Sequence, residues 1–156
     1  IFAPGAREMR LTTRTNLAMR TLMVCAMNPG RQVRSAEIAA LCNASAHHVA
    51  HVVQALHAEG YVAAQRGRSG GLQLAQPPER ISVGAVVRLF EQDIPFAECF
   101  GRDGGSCPLL PACRLRGYLQ RALEAFYHEL DKATLDDLVR GNVALGDLVG
   151  LPEAAP

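Results

Sequence analysis

The stretch "SAHHVAHVVQALHAEGYVAAQRGRSGGLQLAQPP", residues 45–78, constrains the fold more than any other. Ser45 is a helix-capping residue type, and Val49, Val52, Val53 and Leu56 recur at the i, i+3, i+4, i+7 spacing of one buried helical face. Gly60 ends that helix. Two strand-like runs, 61–65 and 71–75, flank "RGRSGG", a glycine-rich hairpin tip, before Pro77 and Pro78 break the chain. Upstream, "SAEIAALCNAS" predicts a shorter helix capped by Ser35, with Ile38, Ala39 and Leu41 inward. Short helix, turn, second helix and hairpin is the order of a winged helix-turn-helix.

Four more helices are expected around this unit. Residues 12–27 form one, capped by Thr12 or Thr13, and Ser82 starts another through about Gln92. Residues 113–131 form a long helix with Leu115, Leu119, Ala122, Leu123, Phe126 and Leu130 in one stripe. Thr134 caps a short helix, and the tail "LPEAAP" is expected to be loose. The fold class is therefore mainly α with a small β-hairpin wing.

Charge separates along the chain. Residues 1–76 carry eight arginines against three acids, a net +5, while residues 77–156 carry eight basic residues against twelve acids, a net −4. The first half thus suits a polyanion. A helix enters the major groove of double-stranded DNA, and a basic hairpin tip follows phosphates or a minor groove. With 49, 52, 53 and 56 inside, the second helix turns Ala46, His47, Ala50, His51 and Gln54 outward, with His48 at the flank. The candidate DNA contacts are Arg10, Arg34, Ser35, Ser45, His47, His48, His51, Arg66, Arg68, Ser69, Gly70 and Gly71, with Arg14 adding charge.

Residues 45–58 hold no Lys or Arg but four of the five histidines. His47 and His51 stand at i, i+4, a metal-ligand spacing. No carboxylate or third ligand lies nearby in sequence, which favours plain solvent exposure or hydrogen bonds to bases and phosphates over a metal site.

The loop "CFGRDGGSCPLLPAC", residues 99–113, holds three of the five cysteines. Three readings stand: a metal site, a disulfide with one spare thiol, or a reactive thiol. No secretory signal or bilayer-crossing run is visible, and Met9 reads as a natural start, so residues 1–8 read as an extension and the location as cytoplasmic. Clustered cysteines in a reducing compartment favour metal or thiol chemistry. Cys25 and Cys42 lie in apolar helical patterns and read as buried. No nucleotide loop and no nucleophile with a base partner is present, so an enzyme is not expected.

"MRLTTRTNLAMRTLM", the stretch from Ser45 to Glu91, the cysteine loop and "CRLRGYLQRALEAFYHELDKATLDDLV" together resemble the iron–sulfur-cluster winged-helix repressors of the IscR and NsrR type. The likeness runs from Met9 to about Val149. The ending "ELDKATLDDLV" and "PACRL" around the third cysteine are closest to the nitric-oxide-sensing NsrR kind.

The resemblance implies an operator-binding homodimer joined through the long helix, with nitric oxide as effector and no membrane partner. It divides the chain into an extension (1–8), a winged helix-turn-helix domain (9–78), a linking helix (79–98), a cluster loop (99–113), and a dimerisation helix with C-terminal segment (114–150). It makes Cys99, Cys107 and Cys113 ligands of an iron–sulfur cluster, [4Fe-4S] in preference to [2Fe-2S]. Thiolates are the soft ligands such clusters take. Zinc is the runner-up metal, although its structural sites favour shorter cysteine spacings.

The fourth ligand in this kind, where known, is an aspartate on the partner's first helix; the aligned residue here is Asn16, a poorer donor. Three outcomes follow: Asn16 only hydrogen-bonds near the cluster, Glu98, Asp103 or His128 substitutes as ligand, or the fourth iron site is open to a small molecule or water. The x7 spacing between the first two cysteines is longer than the family's usual x5, and Arg116 stands where the IscR kind has a histidine ligand. The alternative function is a cluster-free regulator of the same fold that senses redox state through its thiols.

Overall fold

The first helix, α1 (Thr13–Met27), is the element on which most of the others pack. It buries Leu17, Ala18, Leu22, Val24 and Cys25, and its cap is Thr12, whose hydroxyl accepts the Thr15 N–H at 3.2 Å. The computed structural model describes residues 11–65, 67, 70–101 and 105–152. After α1 come α2 (Ser35–Leu41), α3 (Ala46–Ala58), β1 (Val62–Gln65), β2 (Gly71–Leu74), α4 (Val83–Glu91), α5 (Arg114–Asp131), α6 (Leu135–Val139) and α7 (Val143–Val149).

The two strands form one antiparallel hairpin in which Val62 faces Leu74 and Gln65 faces Gly71. Val33 extends it by one bridge, exchanging both backbone hydrogen bonds with Leu72 at 2.7 and 2.8 Å. The hairpin is thereby tied to the segment that leads into α2. The mainly helical fold with a small wing is the architecture expected. Its core joins α1, α2, α3, the hairpin, α4 and α6 through Leu22, Ile38, Val49, Val52, Leu56, Leu72, Val86 and Leu135.

Three local expectations are corrected. Arg34, not Ser35, is the cap of α2: the Glu37 carboxylate accepts the Arg34 N–H at 2.8 Å, so Ser35 is already the first helical residue. Leu41 is exposed rather than inward, because α2 ends there and the chain turns away through Asn43 at φ 49°. The tail is not loose up to Pro152. Asn28, at the end of α1, donates to Val149 O at 3.0 Å and accepts the Leu151 N–H at 2.8 Å. Arg31 Nε adds a bond to Pro152 O at 2.9 Å.

Helix α4 is capped by Ser82, as expected, and joins three elements. At its C-terminal end Glu91 accepts the Thr12 N–H at 2.8 Å and also bonds the Thr15 hydroxyl, which ties it to the start of α1. On its exposed side Arg88 makes a two-pronged pair with Asp131 at 2.6 and 2.5 Å and lies over the Tyr127 ring at 4.6 Å. Both partners belong to the last turns of α5. The buried Gly84 permits this approach: a Cβ there would stand 2.9 Å from the Asp131 backbone N and closer still to its carboxylate.

Alanine ordinarily gains about 1 kcal/mol over glycine inside a helix. At Gly84 the overlap includes backbone, so Gly84→Ala is expected to destabilise by about 1–3 kcal/mol, the usual range for overpacking. The measurement is a lowered urea midpoint at unchanged slope; an unchanged or raised midpoint contradicts the close α4–α5 approach.

Candidate DNA-reading surface and cysteine loop

Helix α3 is fixed in rotation by what it buries. Val49, Val52 and Leu56 are inaccessible to solvent, and Val53 is partly buried. Ser45 caps the helix, its Oγ accepting the His48 N–H at 3.2 Å. Ala46, His47, His48, Ala50, His51 and Gln54 are all exposed, the outward set expected. His47 and His51 are in contact, with Nε2 atoms 3.2 Å apart and ring centroids 4.4 Å apart, edge to face. His57 is turned elsewhere, its Nδ1 bonded to Val62 O at 3.0 Å.

The surface beside α3 carries features the sequence did not single out. Arg20 of α1 donates to Cys42 O at 3.4 Å, in the turn between α2 and α3. With Asn16, Asn43, Ser45 and His48 it lines a depression of about 280 Å³. Arg31 and Glu37 form a two-pronged pair at 3.0 and 2.7 Å that holds the entry to α2. The hydrogen bonds from Arg31 lower the Glu37 carboxyl below the ordinary carboxylate range against the opposing effect of burial. Arg14 lies over the Phe90 ring at 5.7 Å. Arg34, Ser35 and Ser45 are exposed, and Gly70 and Gly71 are half-buried at the head of β2. Arg10, Arg66, Arg68 and Ser69 lie outside the described residues.

The cysteine loop runs from α4 to α5. Cys99 lies in a 3-10 turn (Glu98–Phe100), and Cys113 is the residue that caps α5. Two contacts fold the loop back on its start. Ser106 Oγ donates to Glu98 Oε1 at 2.9 Å. Gly105, at φ +73°, sits so close to the Glu98 carbonyl that a Cβ would stand 2.7 Å from its oxygen. Cys107 follows directly and accepts the Leu110 N–H at 3.2 Å. Arg116, in the first turn of α5, lies over the Phe100 ring at 5.6 Å. The segments of all three cysteines are therefore linked by short contacts.

All five cysteines are free, and the environments differ sharply. Cys25 and Cys42 are buried, as expected; burial pushes the Cys25 thiol up to about 12 and raises Cys42 as well, against the nearby Arg20 charge. Neither is a thiolate at neutral pH. Cys99, Cys107 and Cys113 are half-exposed. As donors they fit a soft metal or an iron–sulfur cluster: three free thiols on one stapled loop.

The described residues of the single chain do not bring a full ligand set together. Among the described residues no three Cys, His, Asp or Glu side chains group as metal ligands. Asn16 is exposed on α1, its amide donating to Leu11 O at 3.4 Å, and it borders α3 rather than the cysteine loop. Glu98 is engaged by Ser106, and His128 lines a cleft with Arg88, Arg121 and Asp131. Asp103 lies outside the described residues.

Known proteins are similar to this chain in sequence and fold. The Rrf2 family, described as an iron-dependent transcriptional regulator, matches residues 11–141. The HTH-type transcriptional regulator NsrR of Geobacillus kaustophilus is 41% identical over 142 residues, covering 90% of this chain and 97% of that protein. The HTH-type transcriptional repressor NsrR of Streptomyces coelicolor is 41% identical over 143 residues, covering 88% and 95%. The crystal structure of oxidized Staphylococcus aureus CymR superposes with a TM-score of 0.67 at 26% identity, covering 85% of this chain and 97% of that one. No described helix is long and apolar enough to cross a membrane. The chain belongs to the Rrf2 family of transcriptional regulators.

Proposed function

We propose that this regulator is a homodimeric repressor that binds operator DNA through α3 and the hairpin, and releases it when nitric oxide reaches an iron–sulfur cluster on Cys99, Cys107 and Cys113. The observation that carries the reading is the state of α5. None of its eighteen residues is buried, although Leu115, Leu119, Leu123, Phe126 and Leu130 form an apolar stripe. Leu115 is 61% and Tyr118 65% exposed. A groove of about 370 Å³ between α5 and the ends of α1 and α4 continues the apolar surface through Leu11, Ile94 and Phe96. A second copy of the helix covers such a stripe, and the cysteine that caps α5 then lies at the joint between dimer and DNA-reading unit.

Cys99, Cys107 and Cys113 would hold the cluster as thiolates, with the fourth position left to the partner's first helix or to an exogenous ligand. Bound there, the cluster supplies iron that reacts with nitric oxide. The chain's own residues connect that loop to α3. Phe100 and Arg116 couple the loop to the first turn of α5, and Asp131 and Arg88 couple the last turn of α5 to α4. Glu91 couples α4 to α1, and α1 packs directly on α3. A dimer must match two half-sites about one DNA turn apart, so a small rotation of each α3 suffices for release.

Nitric oxide titrated into anaerobic cluster-loaded protein is expected to lower operator affinity at least about tenfold, a change of about 1.4 kcal/mol. Unchanged affinity refutes the sensing. Replacing Arg66 and Arg68 with Ala is expected to weaken binding to all sequences and to flatten the salt dependence by about one unit per arginine. Retention of the full salt slope places the hairpin off the DNA.

A further inference from the structure

Helix α3 carries two side chains whose geometry allows a use beyond the proposed DNA contact. His47 and His51 stand one turn apart with Nε2 atoms 3.2 Å apart, both exposed. Two imidazole nitrogens bound to one ion at about 2.0–2.1 Å, at angles between square and tetrahedral, lie about 2.9–3.3 Å apart. The observed separation, spanned here by a hydrogen bond between the two rings, falls inside that window, so an ion would replace the shared proton. Sequence spacing alone left the pair as an ordinary exposed face. The side-chain geometry brings the two donor atoms to chelating distance.

The surroundings suit the same use. Burial of Val49, Val52 and Leu56 locks the rotation of α3, so the pair stays outward and one helical turn apart. Ala46–Ala58 contains no Asp, Glu, Lys or Arg, so no carboxylate on this helix diverts either ring into an ion pair and no cation on it repels a metal. Ala46 and Ala50 flank the pair with small side chains and leave the approach from solvent open. The His48 ring centroid is 6.1 Å from that of His47, so His48 is a neighbour rather than part of the pair. Imidazole donors select zinc, copper and nickel over magnesium and calcium.

We infer that His47 and His51 form a two-histidine site for a divalent late first-row metal ion, completed by water, and that the occupied site competes with operator DNA. The competition rests on the reading of α3 as the helix that enters the groove; the metal site itself does not. An ion on the outward face of α3 occupies the space that base edges would fill, and its ligands are side chains assigned to the DNA contact.

Zinc is the probe. Equilibrium competition of the full chain, prepared anaerobically with its cluster, against a chromophoric chelator is expected to show one more zinc per chain in the wild type than in either His47→Gln or His51→Gln. The variant His48→Gln is expected to match the wild type. The loop cysteines are the same in all four proteins, so zinc held by thiols cancels from the comparison. Operator affinity is then measured with and without zinc for each protein, and the ratio is compared. At zinc ten times its dissociation constant the wild type is expected to lose about tenfold per chain by linkage, while the His51→Gln ratio stays near one. Equal zinc stoichiometry in the wild type and both pair variants overturns the site. Zinc bound through the pair with no change in operator affinity overturns the competition, and with it the placement of α3 in the groove.

Discussion

Most of the described elements are positioned by the burial of α1. Leu17, Leu22, Val24 and Cys25 are turned into the core, and α3, α4, α6, α7 and the hairpin all rest on that one helix. Each fully buried leucine or valine contributes about 1.5–3 kcal/mol relative to exposure. The packing sets the orientation of α3, and therefore which of its side chains face outward. Both ends of α1 are held in turn: Thr12 and Thr15 bond Glu91, and Asn28 bonds Val149 and Leu151. The proposed reading of DNA by α3 depends on this rigidity, because an error of a few degrees in the helix displaces its outward side chains.

The contrast with α5 explains the rest of the architecture. One helix is covered on most sides and the other on almost none. The covered part forms a winged unit with its own core; the uncovered helix is tied to α4 near its C-terminal end by Arg88–Asp131–Tyr127 and to the cysteine loop near its N-terminal end by Phe100–Arg116. The cysteine loop is strung between them. Such a loop lies where a local change in posture alters the relation of the two parts with little cost to either core.

Much of this was legible in the sequence, and the failures have physical causes. The periodicity of Val49, Val52 and Leu56 placed α3 and its outward histidines correctly, because a short helix with one buried stripe admits one rotation. The caps at Thr12, Ser45, Ser82 and Thr134 were readable from residue type. Ser35 misled because a carboxylate three residues on took over the cap. Helix α7 and the Asn28 clamp were missed because a seven-residue helix gives almost no periodic signal and the clamp spans 121 positions. The cysteines were visible, but their grouping was not: among the described residues one chain alone assembles no full ligand set, and residue spacing says nothing about a partner's contribution. The contact of His47 with His51 needed side-chain positions that an i, i+4 spacing permits without requiring.

The central claim is that the three loop thiols hold an iron–sulfur cluster. Iron and acid-labile sulfide analysis of the anaerobically purified chain, with its visible spectrum, tests it most directly. The account predicts a brown protein in which iron and sulfide are present in equal amounts and both are lost when Cys99, Cys107 and Cys113 are replaced by Ser. A colourless, iron-free protein that still binds its operator contradicts the account and assigns the loop to thiol redox sensing.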